Sequence, residues 1–382
     1  MNAETGAEFW FDGDPGVVSA LGCGAGETWR RMMAGDTSGL RRTTLPDGED
    51  AYFGFAPEEA VSPEAAAAAG SRVGALVCEA LRQMAPVLDP LLSSVRPERV
   101  GVVVGTSGST MEEFTDNPDR IDMARPAEIV KERLGTEGPA WSVSTACSSS
   151  AKAFGSARRL LACGICDAVV VGGADARTRT VLGGFHALEA MSPRRTRPLC
   201  RDRDGLSLGE AAALFVMRRG GNPPTGSVAL LGIGESSDAY HLTAPDPEGR
   251  GAERAMRAAL ADAGLRPGDV DYVNLHGTGT VYNDAMECAA VLRVFGPSVP
   301  CSSTKAMTGH CLGAAGALEA ALCALALRRG AGMPPHAASP VDAELAPFPA
   351  PAPGNALAAK TALSNSFAFG GSDAAVILGT TR

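Results

Sequence analysis

The sequence lacks any run approaching the ~18 consecutive apolar residues that a membrane helix requires. Its opening, Met1-Asn-Ala-Glu-Thr-Gly-Ala-Glu8, has acidic residues where a signal peptide has basic ones, and no apolar stretch follows. A cytoplasmic protein is expected. Positive charge is also short: 34 Lys and Arg stand against 43 Asp and Glu, a net charge of −9, which argues against bulk binding of nucleic acid through its phosphates. The ten cysteines lack the dense, regular spacing of a disulfide scaffold, so free thiols in a reducing compartment are expected. Cys163-Gly-Ile-Cys166 has redox-like spacing, but it closes a helical stretch instead of opening one, and a helix start is what would depress a thiol pKa.

What remains is a 382-residue chain, 45% hydrophobic and 20% charged, long enough for two domains or two similar halves. Arg99-Val-Gly-Val-Val-Val-Gly105 and Asp167-Ala-Val-Val-Val-Gly172 read as strands buried on both faces. Their alternation with Ala-rich helical stretches predicts an α/β fold with a substantially parallel sheet. The stretch from Glu112 to Glu137 reads as irregular and polar. The theme then recurs: Asp271-Tyr-Val-Asn-Leu275 leads into His276-Gly-Thr-Gly-Thr280, and Val299-Pro-Cys-Ser-Ser303 leads through a Gly-rich turn into a helix from Ala314 to Arg328. This predicts an internal duplication, residues 1–220 and 221–382, linked near Arg218 to Thr225.

Cys147 lies between a short strand, Ala140 to Ser144, and a helix opened by Ser148-Ser-Ser150. A thiol at a helix N-terminus meets free N–H groups that favour thiolate, yet a free cysteine is also the usual small buried hydrophobe. Two of the five histidines, His276 and His310, sit in Gly- and Thr-rich loops; His276 follows a strand, at whose carboxyl end open α/β sheets place their sites, and His310 closes the loop that carries Lys305. One base would serve to activate a thiol. Two neutral imidazoles donating to one carbonyl oxygen would instead stabilise an enolate beside a thioester. Metal binding is disfavoured, since neither histidine has a second ligand at suitable spacing. Glu319 is the single charge in an otherwise apolar helix and needs a partner, for which Lys305 is placed. Asp284 is expected to cap the helix that carries Glu287. Gly370-Gly371 would turn sharply and offer a second oxyanion donor beside the Cys147 N–H, with Phe369 as a movable wall.

Together these motifs resemble the elongating β-ketoacyl-acyl carrier protein synthases of the thiolase-like superfamily. They are Thr145-Ala-Cys-Ser-Ser149, Val169-Val-Val-Gly-Gly-Ala-Asp175, Asp202-Arg-Asp-Gly205, Ser237-Asp-Ala-Tyr-His241, His276-Gly-Thr-Gly-Thr280, Ser303-Thr-Lys-Ala-Met-Thr-Gly-His310 and the run from Asn365 to Gly371. The resemblance implies a five-layered αβαβα fold from two duplicated halves, a homodimer or heterodimer, and an acyltransferase acting by ping-pong. Cys147 would accept the acyl chain from acyl-acyl carrier protein. His276 and His310 would bind malonyl-acyl carrier protein and assist decarboxylation, supported by the pair Lys305 and Glu319. Thr278 and Thr280 would contact phosphopantetheine, which arrives on the carrier protein, so no resident cofactor is implied. Phe369 would gate the site.

Three features depart from typical fatty-acid enzymes. The segment between Gly105 and Cys147, which in the family shapes the dimer contact and acyl pocket, is short. Ala368 replaces the glycine usual before the gating Phe, which should stiffen that loop. Gly108 stands where some relatives carry a bulky side chain in the acyl pocket, so a long or rigid chain is expected to fit. The short segment looks most like ketosynthases of bacterial aryl polyene pathways, which pair with a chain-length-factor homologue lacking the cysteine. A non-catalytic scaffold subunit is the rival reading, and the presence of Cys147 counts against it. An acidic carrier protein would dock on a basic rim, for which Arg194, Arg195, Arg197, Arg201 and Arg203 are candidates.

Overall fold

The computed structural model describes residues 8–45, 47–111, 122–345 and 347–381. Its strands are β1 (Phe9–Ser19), β2 (Gly22–Cys23), β3 (Leu40–Thr44), β4 (Asp50–Gly54), β5 (Val100–Gly105), β6 (Ala140–Val143), β7 (Ala168–Asp175), β8 (Leu208–Gly209), β9 (Ala211–Arg219), β10 (Val228–Ser237), β11 (Tyr272–Asn274), β12 (Cys301–Ser302), β13 (Thr361–Ala368) and β14 (Ser372–Thr380). The main sheet runs β12-β11-β13-β14-β10-β1-β9-β7-β5-β6, with β2 beside β1. Its two ends repeat one pattern. Taken from the centre outward, the first half reads β1-β9-β7-β5-β6 and the second β10-β14-β13-β11-β12, and each is the first, fifth, fourth, second and third strand that its own half contributes to this path. The hand of pairing repeats as well. β5 is parallel to β6 and β7, as β11 is to β12 and β13, whereas β9 and β14 are antiparallel to both neighbours. Duplication is thus written in the topology, and the halves meet where β1 pairs with β10.

The sheet is therefore mixed and not substantially parallel. The strand-helix-strand units supply the parallel pairs, while β13 and β14 form a hairpin around Phe369–Gly371, which forces antiparallel pairing.

Side chains alternate faces along each strand, and this sorts the core into layers. On β9, Ala211, Ala213, Phe215 and Met217 face a central core, whereas Ala212, Leu214 and Val216 face an outer one. On β14, Ala374, Val376 and Leu378 face the same central core, and Ala375 and Ile377 face a third cluster. The central core is filled by two helices, Ser149–Ala162 and Ala315–Arg329. The outer cores are covered by Arg72–Gln83 and Arg125–Leu134 on one side and by Arg250–Ala263 and Val281–Phe295 on the other. Helix, sheet, helix, sheet, helix is the five-layered order that the resemblance implies. The helix Ala315–Arg329 is buried on every side from Ala315 to Leu327, as expected for a middle layer.

Arg125–Leu134 lies in the stretch expected to be irregular. Pro126 in its first turn and Gly135 in a left-handed conformation after its end delimit it. The preceding residues 112–121, part of the short segment noted in the sequence, lie outside the described residues. No helix among the described residues is long and apolar enough to cross a membrane.

Candidate active site

Cys147 sits on a tight elbow between β6 and the helix Ser149–Ala162. Ala146 takes φ of 52°, a left-handed conformation that costs a non-glycine residue ~1–2 kcal/mol. The turn is tied by Ser149, whose hydroxyl donates to the Ala146 carbonyl (2.5 Å) and accepts the Thr145 N–H (2.9 Å). The elbow thus lifts the thiol off the strand end and aims it at the second half.

The second half supplies both histidines. His276 follows β11 in a loop fastened from below by Glu287, whose two carboxylate oxygens accept the His276 and Gly277 N–H groups at 2.7 Å each, while Asn365 adds a side-chain donor at 3.1 Å. Glu287 is fully buried, and burial lifts its carboxyl to about 7. Asp284 is also buried and is not the helix cap, a position held by Thr280. Its carboxylate accepts N–H groups of Gly279 (3.1 Å) and Leu199 (2.8 Å), because one turn into the helix it points back beneath the loop. His310 is held by its backbone. Its N–H donates to the Ser207 carbonyl (2.7 Å) and its carbonyl accepts the Gly209 N–H (3.0 Å).

These supports bring three side chains together. His310 Nε2 lies 2.9 Å from Cys147 Sγ, and the two imidazole rings stand nearly perpendicular with centroids 5.1 Å apart. Lys305, buried on the short helix Lys305–Thr308, ion-pairs with Glu319 Oε1 and places Nζ 3.5 Å from His276 Nδ1. An ammonium has only protons to give, so His276 carries its own proton on Nε2. Burial first, then Lys305, keeps both histidines well below the usual imidazole range and neutral. Burial lifts Glu319 to about 7, opposed by Lys305.

Cys147 departs from expectation. Burial pushes its thiol up to about 12, against the smaller opposing effects of Lys305 and of the Phe369 and Cys147 N–H groups. The resting pair is therefore a thiol and a neutral imidazole, and the sulfur becomes nucleophilic by giving its proton to His310 as it attacks. The ligating atoms of Cys147, His276 and His310 lie within 4.8 Å of one another, close enough to hold a metal. The Lys305 ammonium beside His276 opposes a divalent cation there.

A cavity of about 330 Å³ opens onto these groups. Thr278 and Thr280 line it with their hydroxyls 2.9 Å apart. Phe369 borders it, stacked on Phe185 of the helix Arg179–Ala187 at 5.6 Å. The backbone N–H facing the sulfur belongs to Phe369 and not to Gly370, whose N–H is taken by the Leu242 carbonyl at 2.7 Å. Gly108 does not line this cavity. Its N–H donates to Asp175 at 2.7 Å, and a Cβ there would stand 3.3 Å from the same carboxylate oxygen.

Of the remaining histidines, His186 meets Asp47 at 2.5 Å and His241 accepts the Thr243 N–H. His336 accepts the Ser303 N–H and donates to the Pro198 carbonyl, which makes it a buried brace of the Lys305 loop. The arginine rim is largely neutralised from within. Arg194 pairs with Asp202 and Asp204, Arg197 with Asp202, Arg201 with Asp342 and Glu344, and Arg203 approaches Asp284 at 4.0 Å. Arg195 donates to the Leu40 carbonyl.

Sequence reasoning placed Asp175 at the end of a motif but gave it no role. It is fully buried at the end of β7 and gathers the Thr106 and Ser107 hydroxyls with the N–H groups of Ser107, Gly108 and Ser109. A lone acid closing an apolar strand was the available signal.

Comparison with known proteins locates the site in a wider set. Residues 91–221 match the beta-ketoacyl synthase N-terminal domain, and residues 228–338 match the C-terminal domain. The 3-oxoacyl-[acyl-carrier-protein] synthase 2 of Rhizobium meliloti is 33% identical over 413 residues, covering 95% of this chain and 96% of the relative. Among solved structures, the ketosynthase ApeO from Xenorhabdus doucetiae, in complex with its chain length factor ApeC, is 37% identical with a TM-score of 0.87, covering 98% of both chains. The ishigamide ketosynthase/chain length factor is 29% identical with a TM-score of 0.83, covering 98% of this chain and all of the other.

Proposed function

The chain belongs to the β-ketoacyl synthase family, and from that premise we propose that it elongates acyl chains on an acyl carrier protein, with Cys147 as nucleophile. The observation that carries this reading is the 2.9 Å approach of His310 Nε2 to Cys147 Sγ beside a second neutral imidazole.

In the first half-reaction Cys147 attacks the thioester carbon of acyl-acyl carrier protein as His310 takes the thiol proton. The N–H groups of Cys147 and Phe369 face the developing oxyanion. The phosphopantetheine thiolate leaves, collects that proton, and the acyl chain remains on Cys147. Once Nε2 is free of the thiol, the neutral His310 ring carries its proton there, since Nδ1 has no partner among the described residues to fix the other tautomer. In the second half-reaction the malonyl thioester carbonyl accepts N–H from His276 and His310, the malonyl carboxylate departs as carbon dioxide, and the enolate carbon attacks the acyl-Cys147 carbonyl. The tetrahedral adduct collapses with loss of the Cys147 thiolate, which takes up a proton from solvent, and the products are 3-oxoacyl-acyl carrier protein and free Cys147. Lys305 holds the His276 tautomer throughout. Thr278 and Thr280 contact the pantetheine arm, which the carrier protein brings, so the chain needs no cofactor of its own.

ApeO is a ketosynthase seen with a chain length factor. That precedent, with the short segment before Cys147, supports a cysteine-lacking homologue as partner and an aryl-polyene-type product over a fatty acid. A cytoplasmic location fits a soluble carrier protein. The test is mass spectrometry of the protein incubated with acyl-acyl carrier protein. The peptide containing Cys147 should gain the acyl mass, and acylation elsewhere would overturn the assignment. Comparing saturated with polyunsaturated acyl chains in the same assay decides the pathway.

A further inference from the structure

The base of the Phe369 loop holds two carboxyl groups that the reaction above does not use. Asp238 follows β10 and donates its N–H to the Gly371 carbonyl at 2.8 Å. Asp373 is the second residue of β14 and is 2% exposed. The two acids meet above Gly251, where a Cβ would stand 2.0 Å from Asp238 Oδ1 and 2.3 Å from Asp373 Oδ2. Asp238 Oδ1 is buried and receives no donor. Asp373 Oδ2 has only Ser236 Oγ at 3.4 Å, and the single Ser236 proton already goes to the Gly251 carbonyl at 2.6 Å. Two facing, buried carboxylate oxygens without donors repel each other unless one proton lies between them.

We propose that Asp238 and Asp373 share a single proton and that this carboxyl pair is the latch holding the Phe369 loop at the mouth of the Cys147 cavity. Both are positioning residues, and the inference rests on the reading that acyl thioesters enter past Phe369. The latch also touches the nucleophile segment. Ser372 Oγ accepts from Lys152 Nζ (2.7 Å) and lies 3.1 Å from Ser148 Oγ, whose own proton goes to the Thr145 carbonyl (2.8 Å), and Ser148 directly follows Cys147. The charged groups facing the pair are few. Lys152, on the helix Ser149–Ala162, draws Asp373 down; Arg250 feels Asp238 but is committed to Asp246 at 2.8 Å and to Glu248. Asp246 turns its own N–H toward Asp238 Oδ2 at 2.9 Å. Burial and Asp238 outweigh Lys152 and lift Asp373 to about 8. Below that pH the proton is held and the latch is closed. Above it Asp373 ionises beside the Asp238 carboxylate, and the two charges push the start of β14 away from the end of β10.

The experiment compares the full-length protein with Asp373→Asn, whose amide can donate to Asp238 at any pH. Hydrogen exchange of the peptide spanning 367–375 is measured from pH 7 to 9.5 and corrected for intrinsic exchange rates. In the parent, protection should fall by up to about tenfold per pH unit above the midpoint, and in Asp373→Asn it should not. The ratio of elongation rate at pH 9 to that at pH 7 should rise in the variant relative to the parent. Equal loss of protection in both proteins, or no loss in the parent, overturns the shared proton. A difference in exchange with identical rate ratios overturns the latch. Should Asp373→Asn not fold, Asp238→Asn makes the reciprocal amide and carries the same predictions. The exchange measurement needs no turnover, so it stands even if the chain proves not to elongate acyl groups.

Discussion

In the first half the loop after β5 is gathered by Asp175, at the end of a neighbouring strand; in the second the loop after β11 is gathered by Glu287, on the helix that follows. Each acid is buried and each collects backbone N–H groups at a strand end. The loops they hold differ in kind. The Thr106–Ser109 loop presents no ionisable group, whereas the His276–Thr280 loop presents an imidazole. The strand-to-helix turns differ likewise, one bearing Cys147 and the other His310. Duplication thus supplied two equivalent rims, and the chemistry was divided between them, nucleophile on one and both bases on the other.

That division can be broken most sharply at Cys147. Cys147→Ala removes the nucleophile that the first half contributes, and turnover should fall roughly 10³-fold or more, read by steady-state rates with purified carrier-protein substrates. His276→Ala removes one of two donors to the enolate oxygen. Condensation should slow ~10²–10³-fold while acylation of Cys147, followed by mass spectrometry, proceeds. If both half-reactions slowed equally, the separation of roles between the histidines would be wrong.

Acid should tell the halves apart more gently. His276, His310 and His336 all belong to the second half, and burial holds each below its unfolded value of 6.5. Through these histidines the unfolded chain binds more protons than the folded one, so their contribution is present above pH 6.5 and lost as pH falls, opposed in the same half by Glu287 and Glu319, whose carboxyls burial lifts to about 7. For His336, lowered to about 4, the loss approaches ~3 kcal/mol by pH 4. In the first half Asp175 is raised by burial, so acid does not cost it stability. Hydrogen exchange at pH 5 should loosen residues 301–310 before residues 100–109, and His336→Gln should diminish the difference.

The smallest effect separates the two gathered loops. At Gly108 an added Cβ meets Asp175 Oδ1 at 3.3 Å with ordinary φ, so Gly108→Ala should cost about 1 kcal/mol. At Gly277 φ is +38° and the Cβ would stand 2.6 Å from that of Ser303, so Gly277→Ala should cost roughly 2–3 kcal/mol. Urea denaturation of the two variants measures both.

Much of this was legible because it is local. The buried strands β5 and β7 announced themselves as apolar runs, and an isolated Glu319 in an apolar helix required a cation, which Lys305 supplies. β1 was not legible. Its Asp12-Gly-Asp-Pro-Gly16 reads as a turn, yet the chain continues along the sheet through a register shift between Asp12 and Gly16, and turn formers serve as a bulge. β10 was hidden similarly by Gly232 and Gly234, which are there because the helix Arg250–Ala263 packs its backbone against them, Gly232 facing the Ala259 carbonyl and Gly234 that of Ala255. The roles of Asp175, Glu287 and Asp373 depend on partners from 10 to 137 residues away, beyond the reach of the helix and strand spacing rules. The thiol pKa failed for a related reason: helix position is visible in a sequence, but the depth of burial is set by the whole fold.

The crossing of the two central helices has a mechanical side. Ala317 N–H donates to Ser150 Oγ at 2.8 Å, and a Cβ on Gly316 would stand 2.9 Å from the Ala151 nitrogen, so the backbones touch within about two turns of both Cys147 and His310. A pivot close to the working ends gives short lever arms. Thermal rocking of either helix is large at its far end and small at the near one, which keeps sulfur and imidazole in register while the rest of each half breathes.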